Sequence, residues 1–207
     1  MVRHQKFWDR FAKRFAAAEI KDVEAYERRL GAIEAALAPD SAVLDMACGS
    51  GLMAVRIAPQ LRHLTAIDIS PKMIAIARDR ARAAGVGNIS FSVTSVEDFT
   101  APPASFDVVL AMSILHLLDD PPGAIAKAFT LLKPGGVFIS NTHCIPGAGW
   151  KLKLALRIGL PLGLMPNLQI LPKSKLLAAI ARAGFVIDEE WHPGKKKPVF
   201  LVARKPA

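Results

Sequence analysis

The chain has 207 residues, 52% of them apolar, enough to bury a sizeable core and fold as one domain over residues 1–207. Its 27 basic and 18 acidic residues leave a net charge of +9, which suits anionic partners without choosing among them and which a solvated basic surface also explains. Two cysteines, Cys48 and Cys144, without C-x-x-C spacing, exclude a disulfide framework and a cysteine-rich zinc site and suit a reducing, cytoplasmic setting.

The opening "MVRHQKFWDRFAKRF" is basic but studded with aromatics where a secretory signal has a continuous apolar run, so no signal peptide is expected. Residues 5–38 carry helical spacing, clearest in Val23, Tyr26, Leu30, Ile33 and Leu37, which predicts a helical arm over 1–40 ending before Pro39. From Ser41 the pattern alternates. "AVLDM", "LTAIDI", "ISFSV", "FDVVLAM" and "GVFISNT" read as buried strands, separated by the helical runs "LMAVRIAPQL", "PKMIAIARDRARAAG" and "GAIAKAFTLLK". Such alternation predicts an α/β fold with a parallel sheet covered on both faces. "KPGG" at 133–136 reads as a helix stop and tight turn. The tail from Gly184 reads as two strands joined near Pro193 and Gly194, an antiparallel pair closing the sheet edge. Residues 145–172 form an apolar insertion too long for a plain connection; Pro161 and Pro166 break it, so it does not predict a membrane span.

The most informative stretch is "LDMACGSGL", residues 44–52. Gly49-Ser50-Gly51-Leu52-Met53-Ala54 loosely matches the G-x-G-x-x-G/A turn that cradles a dinucleotide pyrophosphate, and Asp68, 19 positions after Gly49, falls near the spacing of a ribose-binding acid. Asp45, at the tip of the preceding strand, is expected to face the mouth of this cradle, where it would repel a pyrophosphate and welcome a cation. The plainer alternatives are that Asp45 and Asp68 cap the following helices and that Ile69 and Met73 are ordinary core.

In order and spacing, "VLDMACGSG", the acid of "AIDIS", "FDVVLAMSILHLLDD" and "LLKPGGVFIS" resemble the successive motifs of class I S-adenosylmethionine (SAM)-dependent methyltransferases, particularly the small-molecule branch that includes ubiquinone and menaquinone biosynthesis enzymes. "FWDRFAKRF" is similar to that branch's cofactor-covering arm. The resemblance spans nearly the whole chain and implies a Rossmann-like, doubly wound seven-stranded sheet, mostly parallel with an antiparallel edge hairpin. It also implies that Asp45, Ala47, Cys48, Gly49 and Gly51 hold the methionine end of SAM, that Asp68 binds the ribose hydroxyls, and that Ile69 and Met73 flank the adenine. Ser95 and Val96 fall at the adenine amino edge, and Ala111 and Met112 beside the methionine portion. The chain departs from the family pattern at Ala47, where glycine is common, at Ser95, where aspartate is frequent, and at Phe15, where the arm often has tyrosine.

Methyl transfer from a sulfonium mainly demands alignment in a dry cavity, with a general base only where the acceptor must lose a proton. His143, beyond "GVFISNT", and His116, in "SILHLLDD", are the candidates, set against packed or capping roles. The five histidines show no ligand spacing, so no metal is expected. In the insertion, Trp150, Leu152, Leu154, Leu156, Ile158 and Leu160 alternate with Lys151, Lys153 and Arg157, and Leu162, Leu164 and Met165 extend the apolar run. This pattern suits a lid over a hydrophobic small-molecule acceptor and contact with a membrane surface, or simple packing on the core. Two other functions compete: an NAD-type oxidoreductase, favoured by the glycine turn with Asp68, and a nucleic-acid-binding protein or RNA methyltransferase, suggested by the net charge and "GKKK". No aromatic-basic module accompanies that charge, so no specific nucleic acid is expected.

Overall fold

The computed structural model describes residues 2–144, 150, 154, 157, 159–160, 165–194 and 197–207. Seven strands form one sheet: β1 (Ala42–Asp45), β2 (His63–Asp68), β3 (Ile89–Val93), β4 (Phe106–Met112), β5 (Leu132–Thr142), β6 (Val186–Trp191) and β7 (Val199–Arg204), in the order β3-β2-β1-β4-β5-β7-β6. The first five strands pair in parallel, and β7 runs antiparallel to both neighbours. Side chains alternate between two cores because the strand period is two. Leu44, Val109 and Phe138 face α5 (Pro121–Leu131) and α6 (Lys173–Ala183), while Val43, Val108, Leu110 and Ile139 face α2 (Val23–Glu34) and α3 (Leu52–Ile57). Both faces being covered explains why these strands read as continuous apolar runs.

Three expectations are refined. The predicted arm is two helices, α1 (Val2–Ala16) and α2, divided where Asp22 caps α2 by accepting from the Ala25 N–H at 3.2 Å. "KPGG" lies within β5: it is absorbed as a bulge at which the register with β4 shifts between Phe106 and Val108, with Gly135 at φ +75°. The C-terminal pair closes the sheet edge as expected, in crossed order. β7 inserts between β5 and β6, leaving β6 outermost, where Arg204–Asp188 (2.7 Å) and Arg28–Glu189 (3.2 Å) ion pairs blunt it.

Helix α4 (Pro71–Ala83) carries α1 on its flank and buries Ile74, Ala77 and Ala81 beneath. Gly51 opens α3 at φ +75°, and a Cβ there would lie 2.7 Å from the Ala77 Cβ and 3.1 Å from its Cα. Only glycine satisfies both the left-handed backbone and this approach of α3 to α4. Gly51→Ala is therefore expected to destabilise the fold by about 2–4 kcal/mol, from backbone strain and overpacking together, as read from urea unfolding.

Candidate active site

The direction in which strands are added reverses between β1 and β4, and ligands of open α/β sheets bind in the crevice outside the carboxyl ends at such a point. A cavity of about 950 Å³ opens there. Its walls are residues just past the ends of β1, β2, β3, β4 and β5, and α1 crosses it with His4, Trp8 and Phe15.

One half is organised by the glycine turn. Asp68 accepts the Gly49 N–H at 3.0 Å through one carboxylate oxygen and the Ser70 N–H at 2.9 Å through the other. Ser70 is the N-cap of α4; its hydroxyl accepts from the Met73 N–H and donates to Asp9 of α1 at 2.6 Å. Arg80 of α4 donates to the Ser50 carbonyl and, at 2.8 Å, to its hydroxyl, and also reaches the Ala16 carbonyl at 3.4 Å. The turn, α4 and two points of α1, Asp9 and Ala16, are thus one hydrogen-bonded unit. On the far wall, Lys127 of α5 donates to the carbonyls of Val96 (2.8 Å) and Glu97 (2.7 Å), fixing the segment after β3.

Burial raises the pKa of Asp68, partly opposed by its two backbone donors and reinforced by nearby Asp9. Asp45 is more extreme. It is 1% exposed, one carboxylate oxygen has no hydrogen-bond partner, and burial followed by the Asp68 charge pushes it up to about 7 despite a backbone bond from Ala47. Expected at the mouth of the cradle, Asp45 instead lies behind the wall made by Met46 and Ala47, buried with the end of β1. Its charge still acts across that wall in a medium that screens poorly.

The other half is apolar, lined by Ile114, Leu117, Leu118, Pro166 and Leu168, with a few polar groups. His116 and His143 meet edge to face with ring centroids 5.2 Å apart. His116 is 6% exposed; burial, then the His143 charge, lowers its pKa to about 4, and its Nδ1 lacks a partner. Exposed His143 is lowered from the ordinary 6.5 by partial burial and by Arg29. Ser113 stands between the halves at φ +60°, its N–H on the Asn141 carbonyl at 2.8 Å and its hydroxyl accepting from the Asn141 amide at 3.3 Å. A non-glycine residue in this conformation beside a cavity is the kind of strain that functional sites retain. Lys197, from the β6–β7 connection, lines the rim and pairs with Asp22 at 2.7 Å.

Of the residues singled out from sequence, Ala47, Gly49, Asp68, Ile69, Met73, Ser95, Val96, Met112, His116 and His143 share this one cavity. Asp45, Cys48, Gly51 and Ala111 stand behind its wall, where Cys48 and Gly51 shape the turn through a Gly51 N–H to Cys48 carbonyl bond of 2.9 Å. The Ser95 hydroxyl is engaged with Asp98, donating to its carboxylate at 2.8 Å and accepting its N–H at 3.0 Å. Neither Asp45 nor Asp68 is a helix N-cap, since Gly51 and Ser70 occupy those positions. Asp9, Arg80, Lys127, Ser113, Asp119 and Lys197 escaped the sequence reading. Position just past a strand end was the available signal for Ser113, whereas the others act across separations that carry no local pattern. Within the insertion, Lys151, Leu152, Lys153, Leu156, Ile158, Leu162 and Leu164 lie outside the described residues; Leu160 and Met165 are half-buried, Trp150 is 71% and Leu154 48% exposed, and Arg157 is exposed. Among the described residues, no group of three or more His, Cys, Asp or Glu is arranged to hold a metal.

The first half of the cavity fits a cationic nucleoside better than a pyrophosphate. Among the described residues it presents acids and no lysine or arginine, and the Gly49 N–H that would greet a phosphate is already committed to Asp68. The lone pairs left on Asp68 can accept hydroxyl hydrogens, and Ile69 and Met73 offer apolar walls.

Comparison with known proteins agrees. Residues 43–136 match the family model described as a methyltransferase domain. A ubiquinone biosynthesis O-methyltransferase of Xanthomonas axonopodis pv. citri (strain 306) is 40% identical over 123 residues, covering 58% of this chain and 51% of that protein. One from Xylella fastidiosa (strain 9a5c) is 31% identical over 157 residues, covering 71% and 61%. The chain therefore spans roughly half the length of the curated relatives it matches. Among solved structures, the N-methyltransferase NodS of Bradyrhizobium japonicum WM9, in complex with S-adenosyl-L-homocysteine (SAH), superposes with a TM-score of 0.72 at 19% identity, covering 97% of this chain and 99% of that one. The [4+2]-cyclase SpnF superposes with a TM-score of 0.74 at 22% identity, covering 89% and 82%. The structures share the fold, and residues 43–136, which carry the glycine turn and both strand-end acids, match a methyltransferase domain.

Proposed function

We propose that the chain acts as a single-domain, SAM-dependent methyltransferase on a small hydrophobic acceptor. The observation that carries this reading is the pair of acids ending β1 and β2 beside a glycine turn whose Gly49 N–H is already used by Asp68. SAM supplies a methyl group already activated on a sulfonium. Asp68 binds the ribose hydroxyls, Ile69, Met73 and Val96 enclose the adenine, and the charge of Asp45 favours the cationic methionine end, with Ala47, Cys48, Gly49, Gly51, Ala111 and Met112 shaping that end of the site. The apolar half aligns the acceptor and excludes water, which is most of what this displacement requires.

The relatives' O-methyltransferase names support an oxygen nucleophile. A hydroxyl acceptor loses its proton during transfer, and His143 is the base, with the buried ring of His116 fixing its edge. The exposed Trp150, Leu154 and Arg157 support contact of the insertion with a membrane surface. Among the described residues no helix is long and apolar enough to cross one, and we place the enzyme in the cytoplasm.

Three outcomes test this function. SAM and SAH are expected to raise the melting temperature of the protein and NAD to leave it unchanged; the reverse order would restore the oxidoreductase. The Asp45 pKa is raised in the fold from the ordinary 3.8 to about 7, so its contribution to stability is full below pH 3.8 and lost as pH rises through 7. Asp45→Asn should accordingly stabilise the ligand-free protein at pH 8 by about 2 kcal/mol in urea unfolding, while SAH binding in calorimetry weakens at least tenfold. Because the His143 pKa lies below 6.5, kcat/KM should stay level from pH 8 to 6.5 and fall at lower pH; His143→Asn should remove that acid limb and cut turnover by about 10²-fold or more.

A further inference from the structure

The charged groups of the cavity are unevenly placed. Asp68 lies at the glycine turn with Asp45 behind it, Glu97 lies in the segment after β3, Asp119 on the opposite side is held by the Asn167 amide at 2.7 Å, and Lys197 is the one lysine or arginine among the described lining residues. Lys197 reaches the rim from the β6–β7 connection, which is itself shaped by a Lys197 N–H to Gly194 carbonyl bond of 2.9 Å and by His192 against the Lys197 carbonyl at 3.1 Å. Its ammonium rests on Asp22, with both side chains substantially open to water. A pair of this kind is held weakly, so a ligand anion can take the place of the Asp22 carboxylate at little net cost. Arg29, seven residues along α2 from Asp22, adds positive charge to this quarter: it is half-buried, has no ion pair within 4 Å among the described residues, and its field reaches His143. His143 and His116 are both held towards the neutral form and do not add to that charge. Among the described residues, this quarter therefore brings the Lys197 ammonium to the rim with Arg29 nearby and Asp22 as their shared acid, beside an apolar chamber.

We propose that Lys197 is an acceptor-recognition residue and that the acceptor is a hydroxylated apolar molecule bearing a carboxylate, which displaces Asp22 from the Lys197 ammonium as the body of the molecule enters the chamber. This rests on the methyltransferase reading and names the class of its substrate. The carboxylate fixes which end of the acceptor stays at the rim, so the hydroxyl is presented inward, towards His143.

The test uses the full-length protein saturated with SAH and two probes of one shape, 4-hydroxybenzoate and the neutral 4-hydroxybenzyl alcohol, in calorimetric titration. Wild type is expected to bind the carboxylate at least tenfold more tightly. Lys197→Met should bring that ratio close to one, Lys197→Arg should retain it, and Asp22→Asn, which keeps an N-cap for α2 while releasing the ammonium, should tighten the carboxylate severalfold. An unchanged SAH affinity in each variant reports an intact fold. Equal binding of the two probes by wild type, binding of neither, or a preference that survives Lys197→Met overturns the assignment of Lys197. Failure of wild type to bind SAH at all overturns instead the methyltransferase reading on which it rests.

Discussion

Two carboxylates ending adjacent parallel strands are the constraint around which this molecule is arranged. Asp45 and Asp68 sit where β1 and β2 stop, and burial raises the pKa of both. Asp68 is compensated by the amides of Gly49 and Ser70, which close the glycine turn and start α4. Asp45 is compensated only in part, by Ala47, and keeps one oxygen unpartnered. A fold selected for stability alone would replace such a residue with an apolar one, because an under-paired buried acid is destabilising. Its retention makes sense if the free energy stored there is recovered when a cationic ligand arrives.

The same network makes the arm part of the site. Asp9 is joined to Ser70, the residue that caps α4, and Arg80, towards the other end of α4, joins Ser50 to Ala16 at the end of α1. Trp8 and Phe15 extend from this tethered helix over the cavity, and the Phe15 ring lies 3.6 Å from where a Gly49 Cβ would stand. Replacing this glycine would strain the turn, whose φ is +53°, while the new Cβ would meet the Phe15 ring only in ordinary contact. Any ligand that draws on the charge of Asp68 acts also on Asp9, because the two carboxylates are coupled electrostatically.

Much of this was legible in the sequence because it is local or periodic. The alternation of apolar runs gives the order of strands and helices, and the family motifs name eight residues that line one cavity, to which the two candidate bases, His116 and His143, add. What escaped is long-range or depends on the exact turn of a side chain. Nothing in "DMACG" distinguishes an acid facing the crevice from one behind Met46 and Ala47; a strand's alternation decides it, and the pattern blurs at a strand end. "KPGG" carries the residues of a turn, yet the Lys133–Asp107 ion pair at 2.7 Å and the pairing of Phe106 with Leu132 draw it into the sheet as a bulge. "GKKK" reads as a charge run on any surface, and only the insertion of β7 beside β5 carries Lys197 to the rim. The long insertion kept both its readings, lid and membrane contact, because its alternating apolar and basic residues serve either.

The histidine pair shows how the apolar half can favour chemistry without a charged catalyst. In water an imidazole is part protonated at neutral pH and part competent as a base. Here burial of His116, and for His143 partial burial with Arg29 nearby, shift both towards the neutral form. A neutral imidazole next to an acceptor hydroxyl adds no positive charge to compete with the cationic cofactor half, yet it can take a proton as the displacement proceeds. On the proposed function, a proton taken up by His143 would place positive charge in the half of the cavity away from Asp68, whose carboxylate is held by the turn. Placing Asp45 and Asp68 at one end of the crevice and the two histidines at the other lets the fold attract a cation at one end while leaving an imidazole uncharged at the other. That separation follows directly from which strands end on either side of the reversal between β1 and β4.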